Sequence, residues 1–122
     1  MPDIEQEIRD KGLTAPRVTP EDIEANIAGE FFFTAADGYK SQPFYDHYGT
    51  GNQPEPAPES LELLTFCVLV LKNGFTVTGE SACASPENFD SELGRKIARQ
   101  NAIHKVWQLM GYALKEKLSA KQ

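Results

Sequence analysis

The chain has 122 residues and a mass of 13.5 kDa, the size of a single domain. It carries 12 Lys and Arg against 18 Asp and Glu, a net charge of −6, which argues against a protein that coats nucleic acid. We expect no membrane span, no signal peptide and no disulfide scaffold, since the only cysteines are Cys67 and Cys83. The composition therefore favours a cytoplasmic protein with reduced thiols.

Charge is divided unevenly between the two halves of the chain. Residues 1–62 contain 13 acidic and 4 basic side chains, whereas residues 63–122 contain 5 acidic and 8 basic ones. The simpler interpretation is that the acidic half packs against the mildly basic half, or merely solubilises it. The alternative is that the two halves form separate faces for separate partners.

A polar arm followed by a helix is predicted at the N-terminus. Residues 1–18 contain two isoleucines at helical spacing but also glycine and proline, which is typical of a frayed tail or of an arm that docks on another subunit. Thr19 is then a good helix N-cap, and Pro20 suits the first helical position. We expect a helix over residues 20–29.

An aromatic segment and a long loop follow. Three consecutive phenylalanines within residues 30–34 predict either an extension of the helix or a short buried strand. Asp37 and Gly38 then predict a turn. Residues 39–60 are rich in proline and glycine, which predicts a loop inserted into a single domain over residues 19–122.

The clearest unit of the sequence is a β-hairpin. Strands are predicted over about residues 62–71 and 75–81, on either side of Asn73 and Gly74. Asn-Gly between apolar runs is the strongest short-range hairpin signal, because both turn positions need positive φ.

Pairing of Lys72 with Phe75 would decide which residues share a face of this hairpin. The face that we expect in the core comprises Phe66, Val68, Val70, Phe75 and Val77. The opposite face comprises Thr65, Cys67, Leu69, Leu71, Thr76, Thr78 and Glu80. Because the second face also carries leucines, it should be covered by another element or another subunit.

A long helix is predicted over about residues 86–118. Ser85, Pro86 and Glu87 provide a cap, a first-turn proline and an acid in the right order. At about 100° per residue, one arc of this helix collects large apolar residues, which we expect to form the core stripe. They are Phe89, Leu93, Ile97, Ile103, Trp107, Met110, Leu114 and Leu118.

Polar side chains interrupt this stripe in its middle turns. Lys96, Gln100 and His104 fall inside the arc, and Arg99 lies on its edge. One interpretation is that the long side chains reach solvent, with Glu92 and Lys96 paired at i,i+4. The other is that the middle of the stripe faces a polar cavity suited to an anionic ligand with an aromatic part, such as a nucleotide.

The candidate ligand-binding residues follow from the second interpretation. Cations would pair with phosphate, Trp107 or Tyr39 would stack on a base, and Arg95 and Thr78 would lie at the margins. The full set is Arg95, Lys96, Arg99, Gln100, His104, Trp107, Thr78 and Tyr39. We expect no metal and no cofactor.

The remaining chemistry-bearing residues form no catalytic or metal-binding motif. His47 and His104 show no metal-ligand spacing with the cysteines. Cys83 could act as a nucleophile beside a helix N-terminus, but a small buried side chain is the simpler role. Seven of the 12 aromatic residues lie within residues 31–48, which favours a strand and a loop anchor over a base-stacking surface.

Several short segments are distinctive. They are Leu64–Leu69, Lys72–Ser81, Phe89-Asp90, Gly94–Arg99 and Trp107–Tyr112, with the start at Thr19-Pro20 and the segment Phe33–Gly38. Together they resemble, over about residues 17–118, a family of small tailed-phage proteins, the gene-49-like/gene-66-like family. The resemblance implies a phage or prophage origin and a location in the host cytoplasm. It supplies no catalytic residues.

These observations predict an α+β domain with an N-terminal helix, a short strand and a β-hairpin packed on one long C-terminal helix. The second hairpin face and the overlong helix predict a homo-oligomer. The leading hypothesis is a non-catalytic phage accessory protein that sequesters a small anionic, nucleotide-like host-defence signal at a subunit interface. The main alternative is an inhibitor that binds a host protein through the acidic face of residues 1–62. An enzyme that uses Cys83 or His104, and a structural virion protein, are further alternatives.

Overall fold

The computed structural model of the chain describes residues 3–41 and 56–121. A three-stranded antiparallel sheet in the order β1-β2-β3 packs against one long helix, which confirms the predicted α+β class. The helices are α1 (Ile4–Asp10), α2 (Pro20–Ala25), α3 (Ala35–Ser41), α4 (Glu59–Glu62) and α5 (Ser91–Ser119). The strands are β1 (Ile27–Thr34), β2 (Leu64–Leu71) and β3 (Thr76–Ala82).

An ion pair ties the N-terminal helix α1 to the segment that precedes α2. Asp3 caps α1 by accepting a hydrogen bond of 3.0 Å from the amide of Glu5. The guanidinium of Arg17 donates two hydrogen bonds to the Glu5 carboxylate, and this contact lowers the pKa of Glu5. Two carboxylates of the acidic half therefore serve the fold itself.

Helix α2 is shorter than predicted, and β1 begins inside the predicted helix. Thr19 and Asp22 form a capping box, in which the Asp22 amide donates to Thr19 Oγ1 at 3.1 Å and the Thr19 amide donates to Asp22 Oδ2 at 2.9 Å. The helix nevertheless ends at Ala25, and Gly29 already lies in β1. The cause is tertiary, because pairing with β2 holds this segment extended.

The turn predicted at Asp37 and Gly38 is wrong, since both residues lie inside α3. The amide of Thr34 donates to Asp37 Oδ2 at 2.8 Å, and the amide of Asp37 donates to Thr34 Oγ1 at 3.1 Å. These bonds lower the pKa of Asp37. They also cap the start of the helix, which explains why a residue pair typical of turns is helical here.

The ends of the loop predicted over residues 39–60 belong to α3 and α4. Lys40 Nζ lies 3.6 Å from Glu62 Oε1, so an ion pair joins the two ends. Residues 42–55, which include three of the clustered aromatic residues and His47, lie outside the described residues.

The β-hairpin has a three-residue loop instead of the predicted two-residue turn. The amide of Leu71 donates to the carbonyl of Phe75 at 2.9 Å, which leaves residues 72–74 as the loop. Gly74 has a φ of 89°, the left-handed conformation that completes such a loop with a G1 bulge. The predicted pairing of Lys72 with Phe75 is therefore wrong by one residue.

This change of register alters which residues share a face of the hairpin. The buried face carries Thr65, Cys67, Leu69, Leu71 and Val77. The face predicted to form the core, with Phe66, Val68 and Val70, points away from α5 and is only partly buried. Because both faces of β2 are apolar, alternation along the sequence could not choose between them.

Helix α5 begins later than predicted. Pro86 lies in a separate 3-10 turn, and the residues that follow this turn are extended. Asp90 then caps α5 by accepting a hydrogen bond of 3.0 Å from the amide of Leu93.

The buried stripe of α5 consists of small residues and one valine, not of the predicted large apolar residues. Its buried members are Gly94, Ala98, Ala102 and Val106. Gly79 of β3 lies so close to α5 that a Cβ atom there would overlap the Ala98 carbonyl oxygen and the Ala102 amide nitrogen. Small side chains thus let the helix backbone approach the sheet. Of the predicted stripe, Leu93 and Ile97 are exposed, and Ile103, Trp107 and Met110 pack at the edge of the core.

Candidate binding surfaces

The polar cluster that was predicted to line a cavity lies on the solvent side of α5. Lys96, Gln100 and His104 are exposed and face away from the buried stripe. Lys96 and Glu92 form an exposed ion pair of 3.4 Å at i,i+4 spacing. The prediction that these side chains interrupt the core stripe is wrong, because the core lies on a different arc of the helix.

Arg99 is held by two carboxylates. Its Nη2 and Nη1 donate to the Glu24 carboxylate at 2.7 and 3.2 Å, and its Nε donates to Glu30 Oε2 at 2.8 Å. These bonds raise the pKa of Arg99 and connect α5 to α2 and β1. A guanidinium already neutralised by two carboxylates is a poor partner for a phosphate, so Arg99 serves as a structural clamp in the single chain.

We expect Arg99→Gln to lower the free energy of unfolding by about 1–2 kcal/mol, because Glu24 and Glu30 lose their shared cation. The effect is limited because the Arg99 side chain is 30% exposed. Arg95→Gln, one turn earlier on the same helix, is the matched control and should change stability by less than about 0.5 kcal/mol. Urea denaturation at low salt measures both. Equal losses in the two variants would contradict the clamp.

The other predicted ligand residues lie in different parts of the fold. Arg95 lines a cavity of about 90 Å³ between β1 and the start of α5. Trp107 lines an apolar groove of about 710 Å³ beside α1. Thr78 lies on β3 and Tyr39 in α3. A single chain therefore does not bring the predicted residues together in one site.

A groove of about 420 Å³ runs between β3 and α5, and we call it the edge groove. Its walls are formed by Phe75, Thr76, Val77, Thr78, Lys105, Gln108, Leu109 and Tyr112. Phe75 is 57% exposed and Tyr112 is 70% exposed. β3 is an edge strand of the described sheet. The edge groove therefore combines exposed apolar side chains with the outer backbone edge of β3, with which no other described strand pairs.

A second apolar surface is the sheet face turned away from α5. The register places Phe31 opposite Val68 and Phe33 opposite Phe66. The ring centroids of Phe33 and Phe66 are 5.6 Å apart, with 32° between the ring planes. Phe31 is 57% exposed and Phe33 is 41% exposed. We call the surface formed by Phe31, Phe33, Phe66, Val68 and Val70 the aromatic face.

The three consecutive phenylalanines of residues 31–33 are a sequence signal for the aromatic face. Side chains alternate along a strand, so three consecutive phenylalanines must point to both sides. Phe32 packs on the core, whereas Phe31 and Phe33 point outward. A definite strand assignment for residues 30–34 would have placed two phenylalanines on one open face.

The two thiols lie in different surroundings. Cys67 is buried, and burial raises the pKa of its thiol. The Cys83 thiol donates to the carbonyl oxygen of Ser85 at 3.2 Å. Within residues 3–41 and 56–121, no group of three or more His, Cys, Asp and Glu is placed to hold a metal ion. Nor does any helix in these ranges combine the length and apolarity needed to cross a bilayer.

Comparison with known proteins identifies one relationship. No curated protein and no solved structure matches the chain. A family model described as phage protein (N4 Gp49/phage Sf6 gene 66) matches residues 18–118, a span that includes the whole sheet and nearly all of α5. The resemblance found in the sequence is confirmed, and the chain belongs to the phage protein family of N4 Gp49 and phage Sf6 gene 66.

Proposed function

We propose that this phage protein acts by binding another protein through the aromatic face, without catalysis. The observation that carries the proposal is the exposure of Phe31 and Phe33 beside Phe66 on one side of the sheet. Contiguous exposed apolar patches mark interaction sites, and aromatic side chains dominate the binding energy of protein interfaces. Membership of a phage family supports a role during infection, and we propose the host cytoplasm as its location.

The chemistry of the face favours an apolar protein surface over nucleic acid. The register adds three β3 residues to this side of the sheet: Thr76, Thr78 and Glu80. Glu80 is the charged residue among the strand residues on this side, and it is acidic. These strand positions offer no cation to a phosphate. A partner with an aliphatic or aromatic patch and a basic rim would complement both the face and the net charge of −6.

The proposed contact surface is the aromatic face instead of the acidic side chains of residues 1–62 that the sequence suggested. Several of those acids are occupied within the chain, since Glu5 pairs with Arg17 and two others hold Arg99. The contact of Arg99 with Glu24 and Glu30 is complementary between the two halves, so part of the acidic charge is used within the fold.

The test compares two phenylalanines of equal exposure on different surfaces. Phe31→Ser should weaken binding of a captured host protein by about 30-fold or more, which is the loss expected for an aromatic hot spot. Phe75→Ser removes an equally exposed ring from the edge groove and should leave binding within a few-fold of the unmodified chain. The immobilised chain is first used to capture proteins from host lysate, and affinity is then measured with the purified candidate. Binding that is unaffected by Phe31→Ser, or that is lost equally in both variants, would reject the proposal.

A small nucleotide-like anion is the second candidate ligand. The observation that favours it is the row formed by Lys96, Gln100 and His104, which lie one turn apart on the exposed side of α5. The row would require a second surface to enclose a ligand, as at an interface between copies of the chain. A thermal shift with a panel of linear and cyclic nucleotides tests it. A shift that disappears in the double variant Lys96→Ala/His104→Ala supports this candidate, and no shift with any nucleotide rejects it.

A further inference from the structure

We propose that a second copy of this chain docks along the edge groove, so that two β3 strands pair antiparallel about a two-fold axis at Thr78. The surface differs from the aromatic face, and the inference does not depend on the function proposed above. It rests on the outer backbone edge of β3, with which no strand of the described residues pairs, and on the spacing of exposed apolar residues along α5.

Among the described residues, no strand pairs with the outer edge of β3. The amide of Leu71 donates to the carbonyl of Phe75 at 2.9 Å, and the amide of Cys83 donates to the carbonyl of Leu63 at 3.0 Å. Hydrogen-bonded and non-hydrogen-bonded pairs alternate along an antiparallel ladder. Every second residue between these two pairs therefore points its N–H and C=O groups away from β2. These residues are Thr76, Thr78, Glu80 and Ala82.

β3 has few of the features that usually keep a strand edge from pairing. Such edges are protected by charged side chains, above all lysine, by proline or by a β-bulge, and Glu80 is the one charged side chain of β3. The seven residues of β3 include no lysine and no proline, and they pair with β2 in a regular register. The side-chain amide of Asn101 reaches the edge, where it donates to the carbonyl of Glu80 at 2.8 Å. That carbonyl retains a second lone pair, so the edge still accommodates another strand.

A two-fold axis at Thr78 matches the outward-pointing residues of the two copies. Thr78 then opposes Thr78 of the second copy, and Thr76 opposes Glu80, so the outward backbone groups of these three residues meet one another. An axis at Glu80 would instead place two carboxylates opposite each other, which destabilises a strand pair.

The position of this axis along α5 follows from contacts between the helix and β3. Gly79 lies directly against Ala98 and Ala102. Thr78 shares the edge groove with Lys105, further along the helix. The axis therefore passes beside α5, level with the residues between Ala102 and Lys105.

The exposed apolar residues of α5 are distributed symmetrically about that point. Ile97 and Leu109 have residue 103 as their midpoint, and the midpoint of Leu93 and Tyr112 falls between residues 102 and 103. In a two-fold pair of antiparallel helices, Ile97 would meet Leu109 of the second copy and Leu93 would meet Tyr112. The spacing is thus self-complementary, as an isologous interface requires.

The surface that this pairing would cover is substantial. Phe75 and Tyr112 together expose roughly 250 Å² of surface. A specific interface buries about 800 Å² on each partner, so these two side chains would supply close to a third of that area. The two sheets would join into one sheet of six strands, with both aromatic faces on the same side. The same contact would pair the outer edge of β3 and cover the exposed apolar residues of α5 beside it.

Sedimentation of the full chain over a concentration series gives the first test. We expect a species of twice the 13.5 kDa chain mass. Tyr112→Arg and Thr78→Pro should each raise the dissociation constant of the dimer by at least about tenfold. The matched controls Tyr112→Phe and Phe31→Ser should leave it unchanged. A monomer at every concentration, or a dimer that both disruptive variants leave intact, would overturn the inference.

Crosslinking tests the register, including the case in which Thr78→Pro fails to fold. In a chain that carries Cys83→Ser, Thr78→Cys should form a disulfide-linked dimer on oxidation. Opposed residues in a hydrogen-bonded pair have Cα atoms about 5.5 Å apart, within the range of disulfides. Thr76→Cys faces Glu80 of the second copy and should form several-fold less. Equal crosslinking of the two variants, or none with Thr78→Cys, would overturn the proposed axis.

Discussion

Gly79→Ala is expected to lower the free energy of unfolding by about 4 kcal/mol or more. The added Cβ would overlap the Ala98 carbonyl oxygen and the Ala102 amide nitrogen, and it would lie 2.9 Å from the Ala102 Cα. All three are backbone atoms of α5, so no side-chain rotation can relieve the overlap. The helix would have to move off the sheet, which would open the core along the small-residue stripe. Chemical denaturation followed by circular dichroism and by Trp107 fluorescence measures the loss.

Gly111→Ala is the matched control for this change. Gly111 lies in the same helix, and a Cβ there meets no atom within 4 Å. The substitution should raise the free energy of unfolding by about 0.5–1 kcal/mol, because alanine has the higher helix propensity. Similar effects at the two glycines would contradict the close approach of α5 to β3.

Leu69→Ala is expected to cost about 3–4 kcal/mol. The side chain of Leu69 is fully buried and belongs to the same core cluster as Ala102 and Val106. Its truncation removes apolar contacts and leaves a cavity that the rigid sheet and helix cannot close. Thermal or urea unfolding gives the value directly.

Val68→Ala, at the adjacent position, tests which face of β2 forms the core. Val68 lies on the aromatic face and is only partly buried, so its truncation should cost about 1 kcal/mol. The hairpin register expected from the sequence predicts the opposite order. A larger loss at Val68 than at Leu69 would show that the faces are assigned incorrectly here.

Signals that depend on a few neighbouring residues predicted the fold well. The cap at Thr19, the hairpin around Asn73 and Gly74 and the long C-terminal helix are all present. Such signals succeed because the chemistry that they report is local. Two of these predictions were wrong. Helix α2 is shorter than predicted because β1 pairs with β2, and the residues at Asp37 are helical because Thr34 and Asp37 form a capping box.

The predicted ligand residues lie apart in the single chain for a reason that the sequence does not contain. Arg99 looked like a cation available to a phosphate, but its partners Glu24 and Glu30 are distant in sequence and contact it only in the folded chain. Trp107 lies near the polar cluster on the helical wheel, but its side chain packs against the core and lines the groove beside α1. A helical wheel orders residues around an axis but does not say which arc the sheet covers.

The sequence by itself determined the α+β class, the strand and helix content of the second half, and membership of the phage family, because each is recorded in contiguous residues. Only the tertiary structure decided which faces are buried. Both faces of β2 are apolar, and α5 offers one arc of large residues and another of small ones. Gly79, a residue of another element, settles the choice, since its missing side chain lets the backbone of α5 pack directly against β3 along the arc of small residues. The large apolar residues left over form the surfaces on which both proposals rest.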